Sequence, residues 1–198
     1  SGGTGRELLK QALKKRMEVT AFVRDATRVE DIQHPNATVV SGDVLNTEDV
    51  GPAVAGHDAV LYAVGAGPKR TTIREHGTRN VIDAMQKANI KRLVCLSSFG
   101  VGDSKADLSF LTRYIVVGIY LRYAFADHER QEAVVKKSAL DWTLVRPPHL
   151  KAGTQTGEYR HGLTLAYGDI DGWISRADLA DFMLKQLEDE RYLRQAPR

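Results

Sequence analysis

Apolar and polar positions alternate between two periods along the chain, one helical and one extended. Leu8, Leu9, Ala12 and Leu13 fall on one side of a 3.6-residue spiral and Lys10, Lys14 and Lys15 on the other, which predicts an amphipathic helix directly after the turn "SGGTG". "MEVTAFVR" and "ATVVSGD" read as strands, and "NTEDVGPAVAG" as a short helix with Asn46 or Thr47 as its N-cap and Gly56 closing it. "HDAVLYAVGAG" is a third strand running into glycines. "TTIREHGTRNVIDAMQKANI" is a helix, with Ile73, Val81, Ile82, Ala84 and Met85 at helical spacing. "KRLVCLSSFG" is apolar with serines at its end, as expected for a parallel strand covered on both faces.

From about Leu108 to Ser138 the chain reads as helical or partly irregular, and "LDWTLVRPPHL" as a strand stopped by Pro147 and Pro148. "GLTLAYGD" and "DGWIS" suggest short late strands, and Ser175 with Asp178 forms a capping box for the last helix. This alternation predicts an α/β fold, a doubly wound parallel sheet of the Rossmann type with helices on both faces, built as one domain over 1–198. Ligands of such folds lie beyond the carboxyl ends of the strands, where the remaining polar residues collect.

Composition narrows the picture without redirecting it. The 198 residues, 42% hydrophobic and 27% charged, suit one ordinary globular domain. The net charge of +3 comes with a basic start that fits an anionic small ligand better than a nucleic acid. The apolar stretch from Leu108 to Ala126 is interrupted by Arg113 and Arg122, which argues against a membrane span; no signal peptide is read, and the lone Cys95 reads as a buried reduced thiol, so a cytoplasmic location is expected. The tyrosines of that stretch and Phe125 are expected in the core or a packed lid.

The chemistry is read at the strand ends. Gly2 and Gly5 are two of the glycines of a G-x-x-G-x-x-G turn, whose backbone approaches a pyrophosphate at a helix N-terminus. Arg24 ends the first strand and Arg28 follows; such arginines pair with a 2′-phosphate, whereas an acid such as the neighbouring Asp25 suits a free 2′-hydroxyl. Asp43 either accepts from an adenine amino group or caps the turn after it. Ala63, Val64 and Gly65 leave room for a cofactor across the third strand. Ser97, Ser98 and His149 end two further strands facing the same crevice, as catalytic candidates or as plain hydrogen bonders.

On these residues the chain resembles the atypical short-chain dehydrogenase/reductase family, in particular its flavin reductase/biliverdin-IXβ reductase group. The resemblance runs through "GGTG", "VTAFVRDATRV", "SGDVLN", "GHDAVL", "GTRNVIDAM", "DWTLVRPPHL", "TGEY" and "ISRADLADFML". It implies that Ser1, Gly2, Gly3, Thr4 and Gly5 hold the cofactor phosphates, that Arg24 and Arg28 grip the 2′-phosphate of NADP, and that Asp43 and Val44 lie on the adenine side. It also implies that Ser97 lies beside the nicotinamide, that Pro148, His149 and Leu150 line the cofactor, and that His128 borders the substrate pocket. Ser97, His128 and His149 are thus the catalytic candidates, with no metal required.

None of the seven tyrosines has a lysine four positions on, so the Tyr-x-x-x-Lys proton relay of typical members is missing. The expected activity is an NAD(P)H-dependent oxidoreductase, preferring NADPH, that passes a hydride to a small conjugated acceptor such as a flavin, a tetrapyrrole (biliverdin) or a quinone. Residues 103–127 and 147–175 form its substrate side. The alternative is an NADP(H)-binding redox sensor without turnover. Neither nucleic acid nor membrane is expected as a partner, and the assembly is a monomer or a weak homo-oligomer. Because a glycine turn of this kind normally follows a central strand, an apolar strand with one more glycine, roughly eight residues, is expected ahead of Ser1.

Overall fold

A computed structural model describes residues 2–67, 70–165 and 172–198; Ser1, a predicted phosphate contact, lies outside the described residues. The elements follow the predicted alternation. Helix α1 (Gly3–Lys14) leads to β1 (Val19–Val23), β2 (Ala37–Ser41), α2 (Thr47–Val54), β3 (Ala59–Tyr62), α3 (Ile73–Lys87) and β4 (Arg92–Leu96). Then come α4 (Arg122–Lys137), β5 (Asp141–Val145), β6 (His149–Lys151), β7 (Trp173–Ser175) and α5 (Arg176–Lys185).

All strand pairings are parallel, in sheets ordered β1-β2, β3-β4-β5 and β6-β7. The first two match the flanks of the doubly wound order 3-2-1-4-5-6, with no described strand in the position between β1 and β3. His57 Nε2 meets Thr20 Oγ1 at 2.8 Å, tying the turn before β3 to β1, and Val19 and Leu61 pack into one cluster. Ala21 and Phe22 of β1 and Val60 and Leu61 of β3 are half-buried.

Two apolar clusters cover the β3-β4-β5 sheet. On one side Val81, Ile82 and Met85 of α3 and Val135 of α4 pack with Leu93, Cys95 and Leu144. On the other, Leu8 and Ala12 of α1 and Leu179, Phe182 and Met183 of α5 pack with Val94 and Val145. Opposite side chains of each strand are therefore both buried, and Leu93, Val94 and Cys95 are fully so. Cys95 is the buried thiol the sequence predicts, its pKa raised by burial and then by the nearby Glu132 charge.

Each helix start has its own solution. Asn46 caps α2, its side chain accepting from Glu48 N at 3.1 Å. Helix α3 makes no side-chain cap of its own; Asp127, fully buried on α4, accepts from Arg74 N and Glu75 N at 3.2 Å each. Ser175 Oγ accepts from Asp178 N at 2.9 Å, half of the expected capping box. The Asp178 carboxylate does not return to the cap backbone but accepts from Thr156 N and Gly157 N at 2.7 and 2.9 Å, where Gly157 has φ +73°.

Two expectations are corrected and one is met. Residues 162–165 of "GLTLAYGD" form no strand, and the rest of that segment lies outside the described residues. The strand in "LDWTLVRPPHL" stops ahead of Pro147 and Pro148, as expected, because proline supplies no ladder donor, and the chain pairs again as β6 against β7. The stretch after β4 folds as a 3-10 segment (Gly102–Asp107) and a π-helix (Thr112–Tyr120) that leaves its aromatics outside. Phe110, Tyr114 and Tyr120 are 78%, 55% and 72% exposed; only Phe125 packs inward, against Phe99, Leu108 and Val117. Among the described residues no helix is long and apolar enough to cross a membrane.

Gly77 is the close-approach point of α3: a Cβ there would lie 2.6 Å from Tyr62 Oη and 2.8 Å from Val44 Cγ1. Gly77→Ala is expected to destabilise the fold by about 1–3 kcal/mol through overpacking, read from the urea midpoint. An unchanged midpoint would show that α3 does not pack this tightly on β3.

Candidate active site

The carboxyl ends of the strands carry the candidate residues. At the start of α1 the N-cap Gly2 is extended and offers no side chain, and no acid lies in the first turn. The first amide N–H groups of a helix lack partners inside it. A Cβ at Gly2 or Gly5 would meet nothing within 4 Å among the described residues. Gly3 has a different reason to be glycine, since a Cβ there would lie 2.7 Å from Arg176 Cδ, where α1 meets α5. Thr4 is buried beside it.

Arg6 ties this turn to the loop after β1. Its guanidinium donates to Asp31 Oδ1 at 2.8 Å, to Asp31 Oδ2 and to the Arg28 carbonyl. Arg24 and Arg28 are both exposed. Asp25 is engaged in capping the short turn Ala26–Val29: it accepts from Thr27 Oγ1 and Thr27 N and lies 3.4 Å from Arg28 Nε. Those hydrogen bonds, the Thr27 hydroxyl foremost, hold its pKa below the usual carboxylate range.

After β2, Asp43 is exposed and its Oδ1 accepts from Leu45 N at 3.0 Å, the turn-capping alternative raised by the sequence. Val44 turns its side chain into the core, and its carbonyl accepts from Asn80 Nδ2. After β3, Ala63 and Val64 are half-buried, and Gly65 is open where a Cβ would stand. The buried Arg74 secures this loop by donating to the Ala66 carbonyl at 2.8 Å while facing Asp127 at 3.4 Å.

Beyond β4 and β5 the two chains run on together, with Ser97 N donating to the Val145 carbonyl and Phe99 N to the Pro147 carbonyl. Ser97 is 4% exposed, and its hydroxyl donates to Glu132 Oε1 at 2.7 Å. Glu132 lies between charges: the fully buried Arg146 grips it through Nε at 2.8 Å and Nη2 at 2.6 Å, and Lys136 Nζ adds a contact at 3.0 Å. Arg146 also donates to Asp103 at 2.7 Å. Burial alone would raise the Glu132 pKa, but the Arg146 hydrogen bonds and charge outweigh it and hold the carboxyl below its ordinary value.

The three catalytic candidates are only partly assembled. His128 precedes Glu132 by one helical turn on α4, so it shares a face with the partner of Ser97. Its ring donates through Nδ1 to Gln131 Oε1 at 3.1 Å, and Gln131 passes Nε2 on to Thr78 Oγ1 and Cys95 Sγ. Burial, then the Arg74 charge, pushes the His128 pKa down to about 4. His149 is exposed on β6, its ring 5.1 Å from that of Trp173, and no described hydrogen bond joins it to Ser97 or His128. Leu150 packs inward, and Pro148 is half-buried.

A cavity of about 580 Å³ opens beside Pro147 and Pro148, walled by Lys151, Tyr159, Trp173 and Phe182. A second hollow, around Asp58, Lys91 and Asp141, lies at the amino ends of β3, β4 and β5, the side away from ligands in such folds. Sequence reasoning missed Arg74, Asp127, Glu132 and Arg146. Their signal was nonetheless present: Asp127, Gln131 and Glu132 sit in register with the apolar stripe of Ala124 and Val135, and Arg146 ends an apolar strand directly.

The chain matches the NAD(P)H-binding family over residues 1–190, and it belongs to that family. The uncharacterized protein YwnB of Bacillus subtilis is 31% identical over 95% of this chain and 89% of its own. Among solved structures, ChuY from Escherichia coli O157:H7, described as an anaerobilin reductase, superposes with a TM-score of 0.80 at 24% identity over 100% of this chain and 91% of its own. A short-chain dehydrogenase/reductase of Veillonella parvula, solved in complex with NADP, has a TM-score of 0.80 at 20% identity over 99% of this chain and 88% of its own. The fold is thus that of Rossmann-type reductases.

Unfolded His128 binds its proton near pH 6.5, whereas the folded ring holds out to about 4. The unfolded state therefore binds more protons across that window, and stability falls as the pH drops through it. His128→Gln is expected to remove on the order of 2 kcal/mol of that loss, measured by urea unfolding at pH 7 and pH 4.5. The same pH dependence in the variant would place the titration elsewhere.

Proposed function

We propose that the protein is an NADPH-dependent reductase that passes a hydride to a flavin or a comparable conjugated acceptor, such as a tetrapyrrole or quinone. The observation that carries this reading is the start of α1. Among the described residues no side chain caps it, its first turn holds no acid, and a Cβ at Gly2 or Gly5 would meet nothing within 4 Å, a combination that suits a pyrophosphate. In this reading the turn Gly2–Gly5 holds the phosphates, and Arg24 and Arg28 receive the 2′-phosphate. Asp43 stands on the adenine side, and Ala63, Val64 and Gly65 border the cofactor's path to Ser97.

Two features support NADPH over NADH. Arg24 and Arg28 are exposed, Arg28 resting 3.4 Å from Asp25 at the surface, and Asp25, the acid that would favour a bare ribose, is occupied in capping. NADPH, when bound, supplies the hydride. The chain itself contributes position: Arg74 fixes the loop at Ala66 and Glu132 fixes Ser97, with Pro148 and the exposed His149 on the far side. His149 is exposed on β6, whereas His128 is neutral and tied to Gln131. The cavity beside Pro147 and Pro148 borders the proposed acceptor side.

The test is NADPH absorbance decay with FMN, FAD, biliverdin and a quinone. Saturable turnover with at least one acceptor is expected; tight NADPH binding with no decay for any of them would instead identify an NADP(H) sensor. Arg24→Ala and Arg28→Ala are each expected to weaken NADPH binding about tenfold and to leave NADH nearly unchanged. Equal losses for the two cofactors would show that neither arginine reads the 2′-phosphate.

A further inference from the structure

The hydrogen-bond inventory of Glu132 is complete. A carboxylate offers about four lone-pair positions. Here Oε1 accepts from Ser97 Oγ and Arg146 Nε, and Oε2 accepts from Arg146 Nη2 and Lys136 Nζ. Nothing is left for a proton, and an ionised carboxylate only accepts. The single hydrogen of the Ser97 hydroxyl therefore has one fixed destination, 2.7 Å away and buried. Any further partner of Ser97 Oγ meets lone pairs.

The pair is held rigidly. Arg146 is fully buried and spans Glu132 and Asp103, and Asp103 in turn meets Arg198 at 3.2 Å. Gly102 has φ +61°, and a Cβ there would lie 2.6 Å from Arg146 Nη2, so the loop after Ser97 closes directly on the guanidinium. Ser104 Oγ accepts from Gly100 N at 2.9 Å and donates to the Val101 carbonyl at 2.7 Å, which fixes the same loop from within. Buried charge at this density is costly unless fully paired, and here each charged atom of Glu132 and Arg146 has its partner.

We propose that Glu132, clamped by Arg146, is a positioning residue that makes Ser97 an acceptor toward the bound nicotinamide, so that the site selects a ring whose carboxamide presents an N–H donor. This rests on the reading of the crevice as an NADPH site, and it assigns that site a polarity which the serine's identity leaves open. Ser97 is then no proton donor to the reduced acceptor. A free serine at a strand end accepts or donates with equal ease; this one is committed.

The experiment compares binding of NADPH with that of its 3-acetylpyridine analogue, in which a methyl ketone replaces the carboxamide and removes the N–H donor. Fluorescence titration of the full chain is expected to show NADPH bound about tenfold tighter than the analogue. Ser97→Ala is expected to weaken NADPH about tenfold and leave the analogue unchanged, erasing the preference, while Ser97→Thr keeps it. Glu132→Gln frees the hydroxyl and is expected to lessen the preference in protein whose circular dichroism matches the parent. If that variant does not fold, the Ala and Thr variants still decide.

An unaltered preference in Ser97→Ala overturns the proposal. So does a parent protein that binds NADPH and the analogue equally, an outcome that leaves the NADPH reading standing. A parent that binds neither overturns both.

Discussion

The pair of Arg146 and Glu132 is the constraint on which the carboxyl-end architecture depends. Arg146 is fully buried and Glu132 nearly so, and each would be expensive to bury alone. They are affordable only together, with Asp103, Lys136 and Ser97 supplying the remaining hydrogen bonds. The arrangement joins the end of β5, the middle of α4 and the loop after β4 at one point. Removing one partner of such a pair leaves a buried charge and costs about 3–5 kcal/mol, so the loop that carries Ser97 is held as firmly as the core beneath it.

Helix α4 extends the same logic along its length. Its buried stripe is largely polar, and each member serves a different neighbour: Asp127 caps α3 and holds Arg74, Gln131 reaches Thr78 and Cys95, and Glu132 takes Ser97. Through Arg74 the stripe also sets the loop at Ala66, after β3. A single helix thus fixes the strand-end loops of β3 and β4. Among the described residues α2, α3 and α5 receive side-chain caps from Asn46, Asp127 and Ser175, whereas α1 and α4 receive none, and of these two only α1 begins on glycine.

The helices and strands were legible in the sequence wherever periodicity was strong. The stripes of Leu8, Leu9, Ala12 and Leu13, the run Leu93–Leu96 and the Ser175 cap all lie where the pattern places them. The stretch 108–123 was misread because hydropathy cannot distinguish a packed aromatic from an exposed one; a π-helix turns Phe110, Tyr114 and Tyr120 outward while its neighbours Leu108 and Val117 turn in. Val44 and Leu150 show the same limit: each is expected to line the cofactor, yet each turns its own side chain toward an apolar cluster.

What the sequence by itself determined is the alternation of strand and helix, the glycine turn at the head of α1 and the family to which the chain belongs, because these rest on local spacing and backbone freedom. Tertiary structure alone decided the role of the polar residues far apart in sequence. Arg146, Glu132 and Ser97 are separated by 14 and 35 positions and meet only because β4 and β5 pair in parallel and α4 packs beside them. The direction of a serine hydrogen bond is set by the charge behind it, and that charge is supplied by the fold.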